Sequence, residues 1–150
     1  MPRQKRSLLT KSAIVVLLLV FVLVAGYLMH AQYSINLAKE FIPIPTDASN
    51  LSAFYLGIGQ SRTIYVAFDF TSGSEDNLLA GLCGDRFTDI DSQTNPFQHT
   101  KPEWWMPNWW LPPQSPEIYL GGECYDRTMY QVLIDQTDEA TSTAYIMVSL

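Results

Sequence analysis

An uncharged apolar run near the N-terminus limits the folds open to this chain more than any other feature of its sequence. Residues 12–31 contain no Asp, Glu, Lys or Arg. About 20 helical residues span the roughly 30 Å hydrocarbon core of a bilayer, and a helix satisfies its own backbone hydrogen bonds there. The sequence therefore predicts a transmembrane helix over residues 12–31 that acts as a signal-anchor.

The charges on either side of this run predict the orientation of the chain. Four basic residues precede it, Arg3, Lys5, Arg6 and Lys11, and every Asp and Glu follows it. By the positive-inside rule, the basic tail (residues 1–11) stays in the cytoplasm and the C-terminal domain is periplasmic or extracellular. We therefore expect a single-pass protein of the plasma (inner) membrane, with the lipid bilayer as one partner.

A cleaved signal peptide is the competing interpretation, because a basic start followed by an apolar core also marks secretion signals. Val24-Ala-Gly26 is the candidate cleavage site. The apolar run is longer than the roughly 7 to 15 residues usual for a signal peptide, and Met29 and Ala31 fit the cleavage pattern poorly. These observations favour an uncleaved anchor.

The remainder of the chain is long enough for one small domain. From residue 32 onward it carries five basic residues and fifteen acids, a net charge of −10. An acidic surface repels phosphate backbones, so this composition argues against a nucleic-acid partner. A juxtamembrane helix and a linker containing Pro43 and Pro45 are predicted over residues 32–49, and the extracytoplasmic domain over residues 50–150.

Apolar residues that recur with a period of two predict the strands of this domain. One hairpin is predicted across residues 54–70 and a second across residues 130–150. Between them, Ser72 and Glu75 have the spacing of a capping box, so a short helix is predicted over residues 72–84. The expected fold is therefore α+β, with an antiparallel sheet and one helix on a face of it.

A long loop between the predicted helix and the last hairpin has an unusual composition. It contains six of the nine prolines and all four tryptophans, Trp104, Trp105, Trp109 and Trp110. Prolines stiffen a loop, and each tryptophan offers a large apolar area with one polar N–H. The loop is interpreted either as a lid over a sheet face or as a docking surface for a protein. Sugar stacking and contact with the membrane interface are further alternatives.

The two cysteines of the chain bracket this loop, Cys83 at the end of the predicted helix and Cys124 before the last hairpin. In an oxidising compartment this placement predicts a disulfide, and the alternative is two free buried thiols. Closing a loop of about forty residues stabilises a fold by about 4 kcal/mol in the chain-entropy model. With His99 as the one domain histidine, no metal site and no cofactor are predicted.

Motifs for catalysis are missing from the sequence, which has no GxSxG, no HExxH and no glycine-rich phosphate loop. We therefore expect a non-enzymatic binding or assembly module of the cell envelope that contacts a protein partner through the four tryptophans. One alternative is an accessory structural subunit of a membrane complex. Another is an envelope glycan-binding or glycan-cleaving enzyme, with Asp85, Asp89, Asp91 or Glu103 as acid and base.

Overall fold

Two helices and five strands are present in the part of the chain that the computed structural model describes, residues 3–58, 61–84, 94–98, 103–126 and 128–150. In chain order they are α1 (Arg3–Phe41), β1 (Ser49–Ile58), β2 (Ser61–Thr71), α2 (Glu75–Cys83), β3 (Tyr119–Asp126), β4 (Thr128–Asp135) and β5 (Thr141–Ser149). The chain divides into two compact units, residues 1–33 and residues 34–150.

The first unit is the N-terminal part of α1. Every side chain from Ile14 to Val24 is more than half exposed, and the apolar stretch that begins at Ala13 has a mean hydropathy of 2.7. Length and composition make this helix compatible with a membrane anchor, and a signal sequence shares both properties. The predicted apolar helix is thus confirmed, whereas the type of membrane and the orientation stay predictions.

The last two turns of α1 belong to the second unit, where they pack on the sheet. Ala38 and Ile42 are buried, and the Ile42 N–H donates to the Ala38 carbonyl at 2.8 Å. The Ser34 hydroxyl accepts a hydrogen bond from the Tyr55 N–H at 3.1 Å, so α1 also contacts the edge strand β1. The helix ends at Phe41 because Pro43 has no N–H and restricts the residue before it.

All five strands form one antiparallel sheet in the order β1-β2-β5-β4-β3, which confirms the α+β class. The long central pair, β2 with β5, runs from Thr63 opposite Ser149 to Thr71 opposite Thr141. The sequence pattern does not predict β3, because Gly121 interrupts its apolar alternation. Pairing with β4 along its whole length supplies the strand.

Both faces of the sheet are buried. On the helix face, the apolar side chains of the strands pack against α2 and the end of α1; β2 contributes Ile64, Val66, Phe68 and Phe70. On the opposite face, which we call the loop face, the strands contribute Tyr65 and Leu133. The alternation along β2 predicts a half-buried strand, but Tyr65 is only 8% exposed because a loop covers this side too.

Helix α2 begins at Glu75, so the predicted start at Ser72 and the capping box are wrong. The Ser72 hydroxyl is 3.2 Å from the Ser142 hydroxyl instead of capping the helix. The Glu75 carboxylate accepts hydrogen bonds from Ser142 Oγ at 2.6 Å and from the Gly73 N–H at 2.7 Å. The tertiary contact with Ser142 therefore engages the side chains of Ser72 and Glu75, which a capping box would have required.

Glu75 is a buried carboxylate that these contacts keep ionised. Burial opposes ionisation, but the hydrogen bonds from Ser142, from its own N–H, from Gln136 and from Gly73 outweigh it, and the net pKa of Glu75 is lowered from its ordinary 4.5. A carboxylate in the first turn also interacts favourably with the helix dipole. Glu75 thus joins α2 to the hairpin formed by β4 and β5.

Glu75→Gln should lower the free energy of unfolding by about 1–3 kcal/mol at neutral pH, because the donors lose their charged acceptor. Because the folded-state pKa of Glu75 lies below its ordinary value of 4.5, the contribution of Glu75 is present above that value and disappears as pH falls through the folded-state pKa. Chemical denaturation of the full chain in detergent should show the two proteins converging at acidic pH. Asp76→Asn, at an exposed neighbour, is the matched control; an equal loss in both variants would contradict the assignment.

Candidate functional site

The tryptophan loop, of which the structure describes residues 94–98 and 103–118, covers the loop face of the sheet. Its central side chain is Trp110, which is 1% exposed. The Trp110 ring meets Tyr65, Phe97 and Tyr145 edge-on, with centroid distances of 5.0, 5.4 and 5.9 Å. Edge-to-face pairs add to the free energy gained from burying the rings. Trp110 therefore anchors the loop to the sheet.

Side-chain amides join the two described parts of the loop. Asn95 Nδ2 donates to the carbonyls of Pro113 and Gln114 at 2.9 and 3.1 Å, and Gln114 Nε2 donates to the Phe97 carbonyl at 3.2 Å. These bonds satisfy backbone groups that have no strand or helix partner. The two described parts of the loop are thus held together by specific bonds as well as by apolar packing.

A glycine on β3 lets the loop approach the sheet closely. A Cβ atom at Gly121 would overlap the carbonyl oxygen of Thr94 and would also touch the Leu133 side chain. Glycine inside a strand commonly marks such a close approach of another backbone segment. The pair Gly121-Gly122 is the sequence signal for this contact, and the periodicity of apolar residues does not reveal it.

The four tryptophans occupy different environments in the loop. Trp104 is 93% exposed, Trp105 and Trp109 are partly buried, and Trp110 is buried. The Met106 N–H donates to the Glu103 carbonyl at 2.9 Å, closing a turn that directs Trp104 outward and allows Trp105 to contact Tyr65. Trp110 is thus buried, as the lid interpretation expects, and Trp104 is exposed, as a docking surface requires. The contact surface itself stays a prediction.

The predicted disulfide between Cys83 and Cys124 is present, with the two Cα atoms 5.7 Å apart. Cys83 is the last residue of α2 and Cys124 lies on β3, so the bond joins the helix layer to the sheet. Both cysteines are buried. The disulfide closes the chain segment that contains the tryptophan loop and lowers the entropy of the unfolded chain.

Two carboxylates, those of Asp69 and Asp135, lie on the loop face. Asp69 Oδ1 accepts a hydrogen bond from Thr143 Oγ1 at 2.8 Å, and Asp69 Oδ2 accepts one from Asn50 Nδ2 at 2.7 Å. Burial, followed by the negative charges of Asp135 and Asp69, raises the pKa of Tyr145, and burial raises that of Tyr65. Both phenols therefore stay neutral at physiological pH.

Of the four carboxylates considered for an enzyme, Glu103 lies within the described residues. Glu103 is exposed beside Trp104, whereas Asp85, Asp89, Asp91 and His99 lie outside the described residues. The described part of the chain also contains no group of three or more His, Cys, Asp or Glu residues able to hold a metal ion.

Gly121→Ala should loosen the loop by forcing the Thr94 carbonyl away from the sheet, at a cost of about 1–3 kcal/mol in the free energy of unfolding. Thermal unfolding and the near-ultraviolet circular dichroism of the tryptophans would report both effects. Gly57→Ala is the matched strand control, because the added methyl would meet only the end of the Tyr55 side chain, which can rotate. A similar loss in both variants would exclude a special role for Gly121.

Trp110→Ala should lower the free energy of unfolding by about 3–5 kcal/mol, whereas Trp104→Ala should change it by less than about 0.5 kcal/mol. Trp110→Phe should cost less than the alanine change, because Trp110 Nε1 has no hydrogen-bond partner among the described residues. Chemical denaturation of the three variants tests this order. Equal losses in the free energy of unfolding at positions 104 and 110 would contradict the assignment of Trp110 as the anchor of the loop and Trp104 as an exposed side chain.

No protein-family model matches the chain, and no curated protein or solved structure matches it significantly.

Proposed function

We propose that this protein is a membrane-anchored binding or assembly module of the cell envelope, and that Trp104 is the centre of its contact surface. The observation that carries the proposal is the 93% exposure of Trp104 within a loop that is otherwise anchored to the sheet. Tryptophan is enriched among the residues that dominate protein interfaces. A partner that covers this ring would remove a large apolar area from water.

The rest of the loop supports this role by limiting the freedom of Trp104 before binding. Trp110 anchors the loop in the core, and the bonds from Asn95 and Gln114 hold its two described parts together. Ordering a flexible loop on binding costs free energy, so a preformed loop retains more of the interaction for affinity. An exposed tryptophan on a preformed frame suits protein recognition.

The membrane anchor is the second part of the proposal. The exposed apolar side chains from Ile14 to Val24 support a membrane helix, and the length of the apolar run favours an uncleaved one. The basic residues before it favour a cytoplasmic N-terminus. On this proposal the domain works on the outer side of the plasma membrane. Cleavage at Val24-Ala-Gly26 is the alternative, and the mass of the protein in isolated membranes distinguishes the two.

Site-specific photocrosslinking in native membranes tests the contact surface. A photoreactive residue at Asn108, an exposed loop position that leaves all four tryptophans intact, should trap one discrete protein, and adding Trp104→Ala should abolish its capture. A photoreactive residue at Ile58, which is 67% exposed on β1, is the matched control and should not trap that protein.

The same experiment separates this function from its alternatives. Capture of lipid alone, or of a second copy alone, from position 108 would reject the proposal. A protein trapped from position 19 in the apolar helix, but not from position 108, would favour an accessory subunit held in a complex by its helix. Capture at position 108 that persists with Trp104→Ala would show that another part of the loop makes the contact.

A further inference from the structure

We infer that the protein recognised by the tryptophan loop presents a basic segment, whose Arg or Lys side chain stacks on Trp104. This inference rests on the proposed function and adds the chemistry of the partner. It depends on how the described charges are distributed between the two sides of the sheet.

Acidic side chains are found on the loop face. Glu123 on β3 alternates with Cys124, and Asp69 and Asp135 alternate with residues of the helix face, so all three carboxylates are on the side that the loop covers. Glu123 is exposed, and it accepts a hydrogen bond from Gln131 Nε2. Glu103 is exposed in the loop, immediately before Trp104. A partner that covers Trp104 therefore also meets Glu103, on the side of the sheet that carries the other three carboxylates.

The described basic side chains of the second unit are found elsewhere. Lys39 lies on α1, which covers the helix face, and Arg62 is placed on the helix face by its alternation with Ile64. Within the described ranges, no Lys or Arg side chain accompanies the four carboxylates. The described charges on this side are therefore all negative, and the domain as a whole has a net charge of −10.

The exposed ring and these charges together select a cationic partner. A Lys ammonium or an Arg guanidinium is attracted to the face of an indole ring, and guanidinium also stacks on it as a plane. Neighbouring carboxylates add a long-range attraction that increases the association rate. The same carboxylates repel phosphate, so anionic lipid headgroups and nucleic acids are disfavoured at this surface.

The test uses the full chain in phosphatidylcholine nanodiscs and a peptide of alternating Arg and Gly with blocked ends. Its matched partner is the same peptide with each Arg replaced by citrulline, which has a similar shape and no charge. The Arg peptide should bind, more weakly as salt is raised, and the citrulline peptide should not. Trp104→Ala should weaken binding about three- to fivefold, and Glu123→Gln about twofold.

Two matched variants provide the controls. Ile58→Ala removes an exposed apolar side chain from the end of the edge strand β1, and Glu40→Gln removes an exposed carboxylate from α1; neither should change the affinity. Failure of the Arg peptide to bind, equal binding of the citrulline peptide, or unchanged affinity of Trp104→Ala would overturn the inference.

Failure of this inference can be distinguished from failure of the proposed function. If photocrosslinking from position 108 traps a protein whose crosslinked segment contains no Arg or Lys, the basic partner is excluded and the binding function remains. If no protein is trapped, the binding function itself is rejected.

Discussion

Both faces of the sheet carry apolar side chains that have to be shielded from water, and this requirement determines the arrangement of the second unit, residues 34–150. The central strand β2 is buried on both sides, and its partner β5 is buried on the helix face and partly buried on the loop face, so neither face can be left to solvent. The chain covers one face with helices and the other with an irregular loop. The second solution is less common, because a loop has to satisfy its backbone polar groups without regular structure.

The helix face is closed by elements that are distant in sequence. The end of α1 contributes Ala38, the residue that follows this helix contributes Ile42, and α2 contributes Leu78, Leu79 and Leu82. The disulfide between Cys83 and Cys124 fixes one end of α2, and the contact between Glu75 and Ser142 fixes the other. Each end of this short helix is therefore attached to the sheet.

The loop face explains why four tryptophans occur in one segment. Trp110 fills the centre, and Trp105 and Trp109 pack around it. Trp104 contributes little to this packing, since 93% of its surface remains exposed. The backbone of the loop can be ordered although this ring is exposed. Prolines limit the freedom of the unfolded loop, and side-chain amides donate hydrogen bonds to its carbonyls. The same segment thus combines an anchor for the core with a side chain available to a partner.

The sequence by itself determined the elements whose physics is local. The apolar length of α1 and the alternation along β1, β2, β4 and β5 follow from hydrocarbon thickness and periodicity. The two cysteines leave one possible disulfide, and the structure shows that it forms. The tertiary structure decided where α2 starts, because Ser142 binds the Glu75 carboxylate. It also decided that β3 exists, because pairing with β4 forms a strand whose apolar alternation Gly121 interrupts, and the missing side chain of Gly121 leaves space for Thr94. It also decided which tryptophan is buried. All four tryptophans have the same intrinsic tendency to be buried. The contacts of Trp110 with Tyr65 and Tyr145 distinguish it, as the anchor, from the exposed Trp104.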